Sequence, residues 1–550
     1  MRRLSLILLV LLLAAISATP VRGQTPGPAT PQAGAGVDIA GVAPLPLTGD
    51  RQAAFAAYIA DMLAMTNVPG AAVAVVQNGE VVYQQGFGVR ELGESEPVTP
   101  ETLMMIGSIT KPMTATMAAT VVDDGELTWD TPVVDLLPTF AVADPEMTER
   151  LSIRNAFCAC TGLPQRDPEF IFNSVTLTPE RLITSVQDFP LTAPLGEQFQ
   201  YSNQMFGIGG YTAAVAAEPE ETDLFAAYDM VMRQRLLDPL GMTHSTLVPD
   251  EVLATGDYAW PHGLDLAGAY HPVSLEEDES HVLSVAPAGA LWSNAAEMAR
   301  YLLMELAGGV ASDGTRVVSQ ANLEATWQPQ VAISAPANPD VPPEFVSMAE
   351  GYALGWVVGN YRGQPLYWHS GGTLGFSAQA TLLPDANLGI VVLTNGINAE
   401  FFTYAVQFRL FELVFDQPAT FDPVMTAAIA GTAQQRAELQ RQLAPVDPTA
   451  VAPYLGRYTH DVLGEVEITL GDGTLIFDAG EFQAELWGLH DPGTEEATYL
   501  TSDLPLSGVA TVTFGEESGA PVMTFTDPTT GEAYPFTFVS ETGIEATPLA

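Results

Sequence analysis

Residues 71–89, AAVAVVQNGEVVYQQGFGV, predict two apolar strands joined by a tight turn at Asn78-Gly79. Asn-Gly is the strongest short signal for a type I′ hairpin, since both positions of that turn need positive φ. Residues 366–396 again predict strands, residues 401–415 predict a helix, and mixed helical segments lie between the two groups of strands. Strands at the beginning and at the end of a segment, with helices between them, indicate an α+β fold with a single antiparallel sheet assembled from both ends of the segment.

The composition indicates a folded and strongly acidic protein. With 550 residues, of which 47% are hydrophobic, the chain is long enough for two or three domains with substantial cores. Its formal net charge of −47 comes from 66 acidic residues against 19 basic ones. Such a surface repels polyanions, so neither nucleic acid nor anionic lipid is an expected partner.

The N-terminal residues predict export. Residues 1–23, MRRLSLILLVLLLAAISATPVRG, place two arginines before an apolar run and small residues after it, which is typical of a secretory signal peptide. Residues 24–48 are rich in Pro, Gly and Ala and predict a leader without regular structure. No second apolar stretch is long enough to span a bilayer, so we expect a secreted or periplasmic protein without a membrane partner after signal removal.

The C-terminal part has a different pattern. Residues 416–449 predict a connector with a polar helix, which separates a domain at 49–415 from a second one at 450–550. In the second domain, Val466 and Ile468 alternate with polar residues, and similar patterns recur up to the end of the chain. About eight short strands of this kind predict a small antiparallel β-barrel.

Cys158 and Cys160 are the two cysteines of the chain. Export permits a disulfide, but a bridge between residues i and i+2 closes a small, strained ring. We therefore expect two buried thiols, with a strained redox pair as the alternative. Two cysteines without clustered histidines do not form a zinc site, and the seven histidines of the chain show no H-E-x-x-H pattern, so neither a metal nor another cofactor is predicted.

Lys111 is the single lysine of the chain, whose other 18 cationic side chains are all arginine. Lysine can release a proton near neutral pH when its surroundings favour this, whereas arginine cannot. A helix predicted from Ser108 to Asp123 places Ser108 and Lys111 three residues apart on one face, so the amine can reach the hydroxyl. The alternative is a helix-capping serine beside an unrelated surface lysine.

Two further motifs bear on this pair. Tyr201 and Asn203, in YSN, can share a proton relay and orient the lysine, although the same letters are also typical of a turn. The stretch HSGGTLGF at 369–376 opens a strand whose glycines allow a substrate carbonyl to approach the backbone closely, although His369 by itself is more typical of a structural histidine.

Ser108-x-x-Lys111, Tyr201-x-Asn203 and His369-x-Gly371, in this order, resemble the three motifs of the β-lactamase-related serine hydrolases. That family includes class C β-lactamases, D-alanyl-D-alanine carboxypeptidases, D-aminopeptidases and esterases. The resemblance covers roughly residues 50–415 and includes the stretches APAGALWSN and GYALGWVV. It implies a β-lactamase/transpeptidase-like fold, and residues from 454 onward resemble the lipocalin-like barrel that some members carry.

The resemblance also implies roles for individual residues. Ser108 would be the acylated nucleophile, and Lys111 with Tyr201 would move its proton. Asn203 would position the lysine and the substrate. The backbone N–H groups of Ser108 and Gly372 would form an oxyanion hole. The strand residues that would lie beside the substrate are His369, Ser370 and Gly371.

Histidine at position 369, where many β-lactamases carry lysine, attracts a substrate carboxylate less strongly and so favours an esterase or peptidase acting on small esters or D-amino-acid amides. A β-lactamase or D-alanyl-D-alanine carboxypeptidase is the alternative, and a non-turnover sensor of peptidoglycan fragments is a further one. An ordinary Ser-His-Asp hydrolase is disfavoured because Trp368 occupies the first glycine position of a G-x-S-x-G elbow. The sequence predicts no oligomeric state.

Overall fold

The computed structural model describes residues 37–275, 282–334, 343–471, 473–489, 498–502 and 510–540. The predicted signal peptide and residues 24–36 of the predicted leader lie outside these ranges. The described residues form two compact units, the first of which holds residues up to 165, 177–262 and 272–431. The second unit holds residues 166–176, 263–271 and those from 432 onward. The boundaries predicted at 415/416 and 449/450 stay a prediction.

An antiparallel sheet forms the centre of the first unit. Within the described residues it has eight strands, which are, in order across the sheet, Glu80–Gly88, Gly70–Gln77, Leu388–Thr394, Ser377–Leu383, Gln364–Gly372, Val357–Tyr361, Gly351–Tyr352 and Val331–Ala332. The predicted type I′ turn is confirmed, with φ of 54° at Asn78 and 81° at Gly79. Because the first hairpin pairs with the strand Leu388–Thr394, both ends of the domain meet in one sheet, and the predicted α+β class is confirmed.

Helices surround this sheet. The α-helices of the first unit that have five or more described residues are Asp50–Thr66, Thr110–Asp123, Pro145–Arg150, Ile153–Phe157, Pro179–Ser185, Asn203–Ala217, Leu224–Met232, Pro249–Thr255, Ala295–Leu306, Gln320–Trp327, Pro343–Ser347, Glu400–Val414 and Asp422–Gln442. The last of these continues into the second unit. Within the described residues, no helix combines the length and the hydropathy that crossing a bilayer requires.

A closed antiparallel barrel forms the second unit, as the alternating sequence pattern predicts. Its eight strands in the described residues are Gly456–His460, Gly464–Gly471, Thr474–Asp478, Gln483–Leu489, Thr498–Thr501, Thr511–Glu517, Ala520–Thr526 and Ala533–Ser540. The inward side chains form an aromatic core that also includes Phe172, from the segment 166–176. Arg166 of that segment forms ion pairs with Glu169 and Glu532 in the same unit.

The expectation of two thiols at positions 158 and 160 is wrong, because the structure joins Cys158 and Cys160 in a disulfide. Ala159 between them has a φ of 49°, which turns the chain back on itself. The two Cα atoms are 5.1 Å apart, a separation that a disulfide can bridge. The sequence-based objection did not anticipate a left-handed residue between the cysteines.

We expect Phe172→Ala to destabilise the barrel selectively. The Phe172 ring is 3% exposed and lies 5.1 Å from the rings of Phe482 and Phe525, so its removal leaves a cavity worth about 3–5 kcal/mol. Hydrogen exchange measured by mass spectrometry should show faster exchange in the strand peptides of 456–540. Val175→Ala is the matched control, since that side chain is 74% exposed in the same segment. Unchanged barrel protection in Phe172→Ala would contradict the assignment of Phe172 to this core.

Glu305 makes the stability of the first unit depend on pH. Its side chain is fully buried, and its carboxyl oxygens accept hydrogen bonds from Thr116 Oγ1 and Trp327 Nε1, each at 3.0 Å. Burial raises the pKa of Glu305 from 4.5 to about 7, because the charged form is poorly solvated there. The stability that this group contributes is therefore present below pH 4.5 and is lost as the pH rises towards about 7.

We expect Glu305→Gln to remove this dependence, since the amide resembles the protonated acid and does not titrate. The free energy of unfolding of each protein is measured with urea at pH 4.5 and at pH 7. Relative to the wild type, the variant should gain roughly 3 kcal/mol of stability between these two pH values. Glu324→Gln, at an exposed site of a nearby helix, is the control. Parallel pH profiles for the wild type and Glu305→Gln would show that Glu305 ionises normally.

Candidate active site

Ser108 and Lys111 lie at the start of one helix. Ser108 belongs to a single 3₁₀ turn, Gly107–Ile109, which leads directly into the α-helix Thr110–Asp123. Pro112 is the third residue of the α-helix, where its missing N–H leaves no intrahelical bond unmade. This geometry brings Lys111 Nζ to 2.9 Å from Ser108 Oγ, the distance of a hydrogen bond.

Tyr201 and Asn203 approach the same hydroxyl and amine from the segment at which a second helix begins. Ser202 caps the helix Asn203–Ala217, since its side chain accepts a hydrogen bond from the backbone of Met205. Tyr201 Oη donates a hydrogen bond to Ser108 Oγ at 2.9 Å, and Lys111 Nζ donates one to Asn203 Oδ1 at 2.7 Å. The serine oxygen therefore lies at hydrogen-bond distance from an amine and a phenol.

Lys111 is completely buried. Besides Ser108 and Asn203, its amine donates to the carbonyl oxygen of Ala288 at 2.7 Å, and the Tyr201 ring centroid lies 4.6 Å from Nζ. Three acceptors match the three N–H groups of an ammonium. The contact with Ala288 was not predicted, although the stretch APAGALWSN, which contains it, had been noted as part of the family resemblance.

Glycines bring the end of the strand Gln364–Gly372 against the Ser108 turn. A Cβ atom on Gly371 would lie 1.9 Å from the Ile106 carbonyl oxygen and 3.2 Å from the Ser108 nitrogen. A Cβ on Gly107 would lie 2.6 Å from the Gly372 nitrogen. These clashes exclude any side chain, so glycine is required for the amide nitrogens of Ser108 and Gly372 to occupy facing segments. Ser370 lies on the same strand, paired with Gln379.

His369 is buried, and both of its ring nitrogens contact protein groups. Nδ1 lies 2.6 Å from the Ser370 carbonyl, which can only accept, so Nδ1 carries the proton. Nε2 then accepts from the Tyr352 hydroxyl at 3.1 Å. Burial, and secondarily the charge of Lys111, lower the pKa of His369 from 6.5 to about 3. The ring is therefore neutral at pH 7, in one tautomer.

Tyr352 is a residue of this site that sequence reasoning missed. It is 1% exposed, and its ring packs edge-on against that of Tyr201, with the centroids 6.3 Å apart. Burial, and secondarily Tyr201, raise the pKa of Tyr352 well above its ordinary value, so its hydroxyl remains a donor to His369. The stretch GYALGWVV, which contains Tyr352, carried the available signal.

The arrangement suits attack on a carbonyl carbon. A serine hydroxyl lies between an amine and a phenol, and two amide nitrogens lie close by on facing segments of backbone. Elsewhere in the described residues, no group of three or more His, Cys, Asp or Glu side chains is placed to hold a metal ion.

Comparison with known proteins agrees with this geometry. The family model described as Beta-lactamase matches residues 55–409. Penicillin-binding protein 4 of Amycolatopsis lactamdurans is 30% identical over 376 residues, covering 66% of this chain and 93% of that protein. An unguisins hydrolase of Aspergillus campestris is 26% identical over 438 residues, covering 75% of this chain and 77% of that protein.

A solved structure shows the same fold. The octameric penicillin-binding protein homologue from Pyrococcus abyssi superposes with a TM-score of 0.57 at 21% identity, covering 88% of this chain and 99% of that one. The family match spans well over half of the chain, and it includes Ser108, Lys111, Tyr201 and His369. The chain therefore belongs to the β-lactamase family and is a serine hydrolase.

Proposed function

We propose that this protein is an exported hydrolase that works through an acyl-enzyme on small esters or on amides and peptides containing D-amino acids. The observation that carries the proposal is the position of Ser108 Oγ, which lies 2.9 Å from both Lys111 Nζ and Tyr201 Oη. Export is inferred from the signal-like residues 1–23. The substrate is the one partner that the proposal requires, with no nucleic acid, membrane or cofactor.

In the proposed reaction, one member of the Lys111–Tyr201 pair has first lost a proton to solvent, and it accepts the Ser108 proton while Ser108 Oγ bonds to the substrate carbonyl carbon. The tetrahedral intermediate collapses when the bond to the alcohol or amine breaks, and the leaving group takes up that proton. A water molecule then gives a proton to the same pair and attacks the acyl carbon. Release of the acid returns the proton to Ser108, so the pair acts first as base and then as acid in each half-reaction.

The oxyanion would be stabilised by the backbone N–H groups of Ser108 and Gly372. The required glycines at 107 and 371 support this assignment, because they let the two backbone segments approach. A single donor of this kind is worth about 3–4 kcal/mol of transition-state stabilisation. Asn203 would hold the Lys111 amine in line with the hydroxyl, through the hydrogen bond at 2.7 Å.

The electrostatics of His369 support substrates that lack a carboxylate beside the reacting carbonyl. A neutral ring with both nitrogens engaged offers no positive charge at the position where many β-lactamases carry lysine. The name of the relative unguisins hydrolase agrees with hydrolysis, whereas the name penicillin-binding protein 4 favours the alternative of a β-lactamase or D-alanyl-D-alanine carboxypeptidase. A sensor that acylates once would share the same residues and differ only in turnover.

We expect Lys111→Arg to lose about a thousandfold or more in the rate of Ser108 acylation. Arginine keeps the positive charge but does not release a proton at working pH. The rate of labelling with a fluorophosphonate, followed by peptide mass spectrometry at Ser108, measures this directly. Ser108→Ala is the matched control for label specificity, and thermal unfolding of each variant separates loss of chemistry from loss of fold. A folded Lys111→Arg protein that labels at the wild-type rate would contradict the proposed role.

We expect p-nitrophenyl butyrate or D-alanine p-nitroanilide to be hydrolysed with a kcat/KM at least about tenfold above that for nitrocefin, since about 1.4 kcal/mol of lost carboxylate attraction is enough for this factor. All three substrates should be compared on one enzyme sample. Faster turnover of nitrocefin would favour the β-lactamase alternative. Stoichiometric labelling without turnover of any substrate would favour the sensor.

A further inference from the structure

The disulfide Cys158–Cys160 is built against the segment that ends at Tyr201. The carbonyl oxygen of Ala159 accepts a hydrogen bond from the Gln200 N–H at 2.7 Å, one residue before Tyr201. The carbonyl of Cys160 accepts one from the Gly196 N–H at 2.8 Å. The backbone of the bridge therefore provides acceptors for the chain that carries the tyrosine hydroxyl.

Ala159 holds a backbone conformation that it does not favour. Its φ of 49° lies in the left-handed region, which costs an alanine about 1–2 kcal/mol. This residue lies between the two bridged cysteines, whose Cα atoms are 5.1 Å apart. Both cysteines and Ala159 are buried, at most 9% exposed, so hydrogen bonds to protein groups such as that from Gln200 matter for the backbone here.

A second contact leads from the bridge to the amine. Phe157, directly before Cys158, packs on the Phe206 ring with the centroids 4.6 Å apart. The Phe206 ring centroid in turn lies 5.6 Å from Lys111 Nζ. The residues on both sides of Cys158 thus contact residues that lie next to Tyr201 and Lys111, whose hydroxyl and amine are hydrogen-bonded to Ser108.

We propose that the Cys158–Cys160 bridge is a positioning element for Tyr201: by holding Ala159 left-handed, it keeps the Ala159 carbonyl on the Gln200 N–H and the Tyr201 hydroxyl on Ser108. This inference rests on the proposed function, in which Tyr201 moves protons. The cysteines are assigned no chemical step, and both are buried in the disulfide.

Without the bridge, Ala159 relaxes towards negative φ and its carbonyl turns away from Gln200. The segment before Tyr201 then loses an anchor, and the hydroxyl spends less time at 2.9 Å from Ser108 Oγ. Misplacement of a catalytic group by about 1 Å lowers rates by up to about a hundredfold. The loss should fall on kcat and on the acylation rate, with KM little changed.

The test compares Cys158→Ala/Cys160→Ala with the same protein carrying Ala159→Gly in addition. We expect the double variant to acylate Ser108 about tenfold to a hundredfold more slowly, with KM within about twofold of the wild type. Glycine adopts positive φ without the alanine penalty, so the triple variant should recover most of the lost rate. A general structural defect would not be rescued by a more flexible residue, and thermal unfolding would reveal it independently.

Tyr201→Phe gives a second arm. If the bridge acts through the tyrosine hydroxyl, the two cysteine substitutions add little to the loss in a Tyr201→Phe background, whereas independent effects would multiply. The inference would be overturned if the double cysteine variant acylated Ser108 at the wild-type rate, or if adding Ala159→Gly recovered none of the lost rate. It would also be overturned if the cysteine substitutions and Tyr201→Phe lowered the rate by independent, multiplying factors.

Two observations separate failure of this inference from failure of the proposed function. A wild-type protein whose Ser108 takes up no fluorophosphonate would refute the proposed function itself, whatever the variants do. If the wild type is labelled and the double cysteine variant is labelled equally fast, only the positioning role is refuted. Alkylation of Cys158 and Cys160 by iodoacetamide in denaturant without reductant would show free thiols and would also overturn the inference.

Discussion

The buried amine of Lys111 is the constraint on which the site depends. A buried ammonium is tolerated only when its N–H groups are hydrogen-bonded, because desolvating an unpaired charge costs several kcal/mol. One acceptor, the Ser108 hydroxyl, lies three residues away, whereas the Asn203 side chain and the Ala288 carbonyl come from distant parts of the sequence. Satisfying one side chain therefore requires three segments to be in place, so assembly of the site depends on packing of the domain.

Close backbone approach is the second requirement, and it explains why glycines surround the lysine. A Cβ at Gly355 would lie 2.8 Å from the Pro112 nitrogen, just as one at Gly371 would collide with Ile106. The backbone at Gly355 and Gly371 therefore packs directly against the backbone of the Ser108–Lys111 turn, with no side chain between them. These short backbone contacts fix the position of Ser108 relative to the strand edge.

Local patterns predicted much of this fold and site. The Asn78-Gly79 hairpin, the helix after Ser108 and the alternating barrel strands each depend on neighbouring residues, so the sequence carries them directly. Interactions that join distant positions were missed, among them the donor Tyr352 and the Ala288 carbonyl. The disulfide was missed for another reason: it depends on a positive φ at Ala159, which no propensity of alanine indicates.

The barrel shows how far such non-local contributions extend. Its strands follow from alternation in the C-terminal sequence, yet its core includes Phe172, which precedes the first strand by more than 250 residues. Phe172, which directly follows a short helix, gives no sequence sign that it packs among aromatic rings so far along the chain. Because segment 166–176 lies between Lys111 and Tyr201 in sequence, the barrel core cannot be completed by the C-terminal residues alone. A complete barrel core therefore requires a segment of the chain that also connects two parts of the hydrolase motif set. Contacts between residues so far apart in sequence slow folding, because a long loop must be closed to form them.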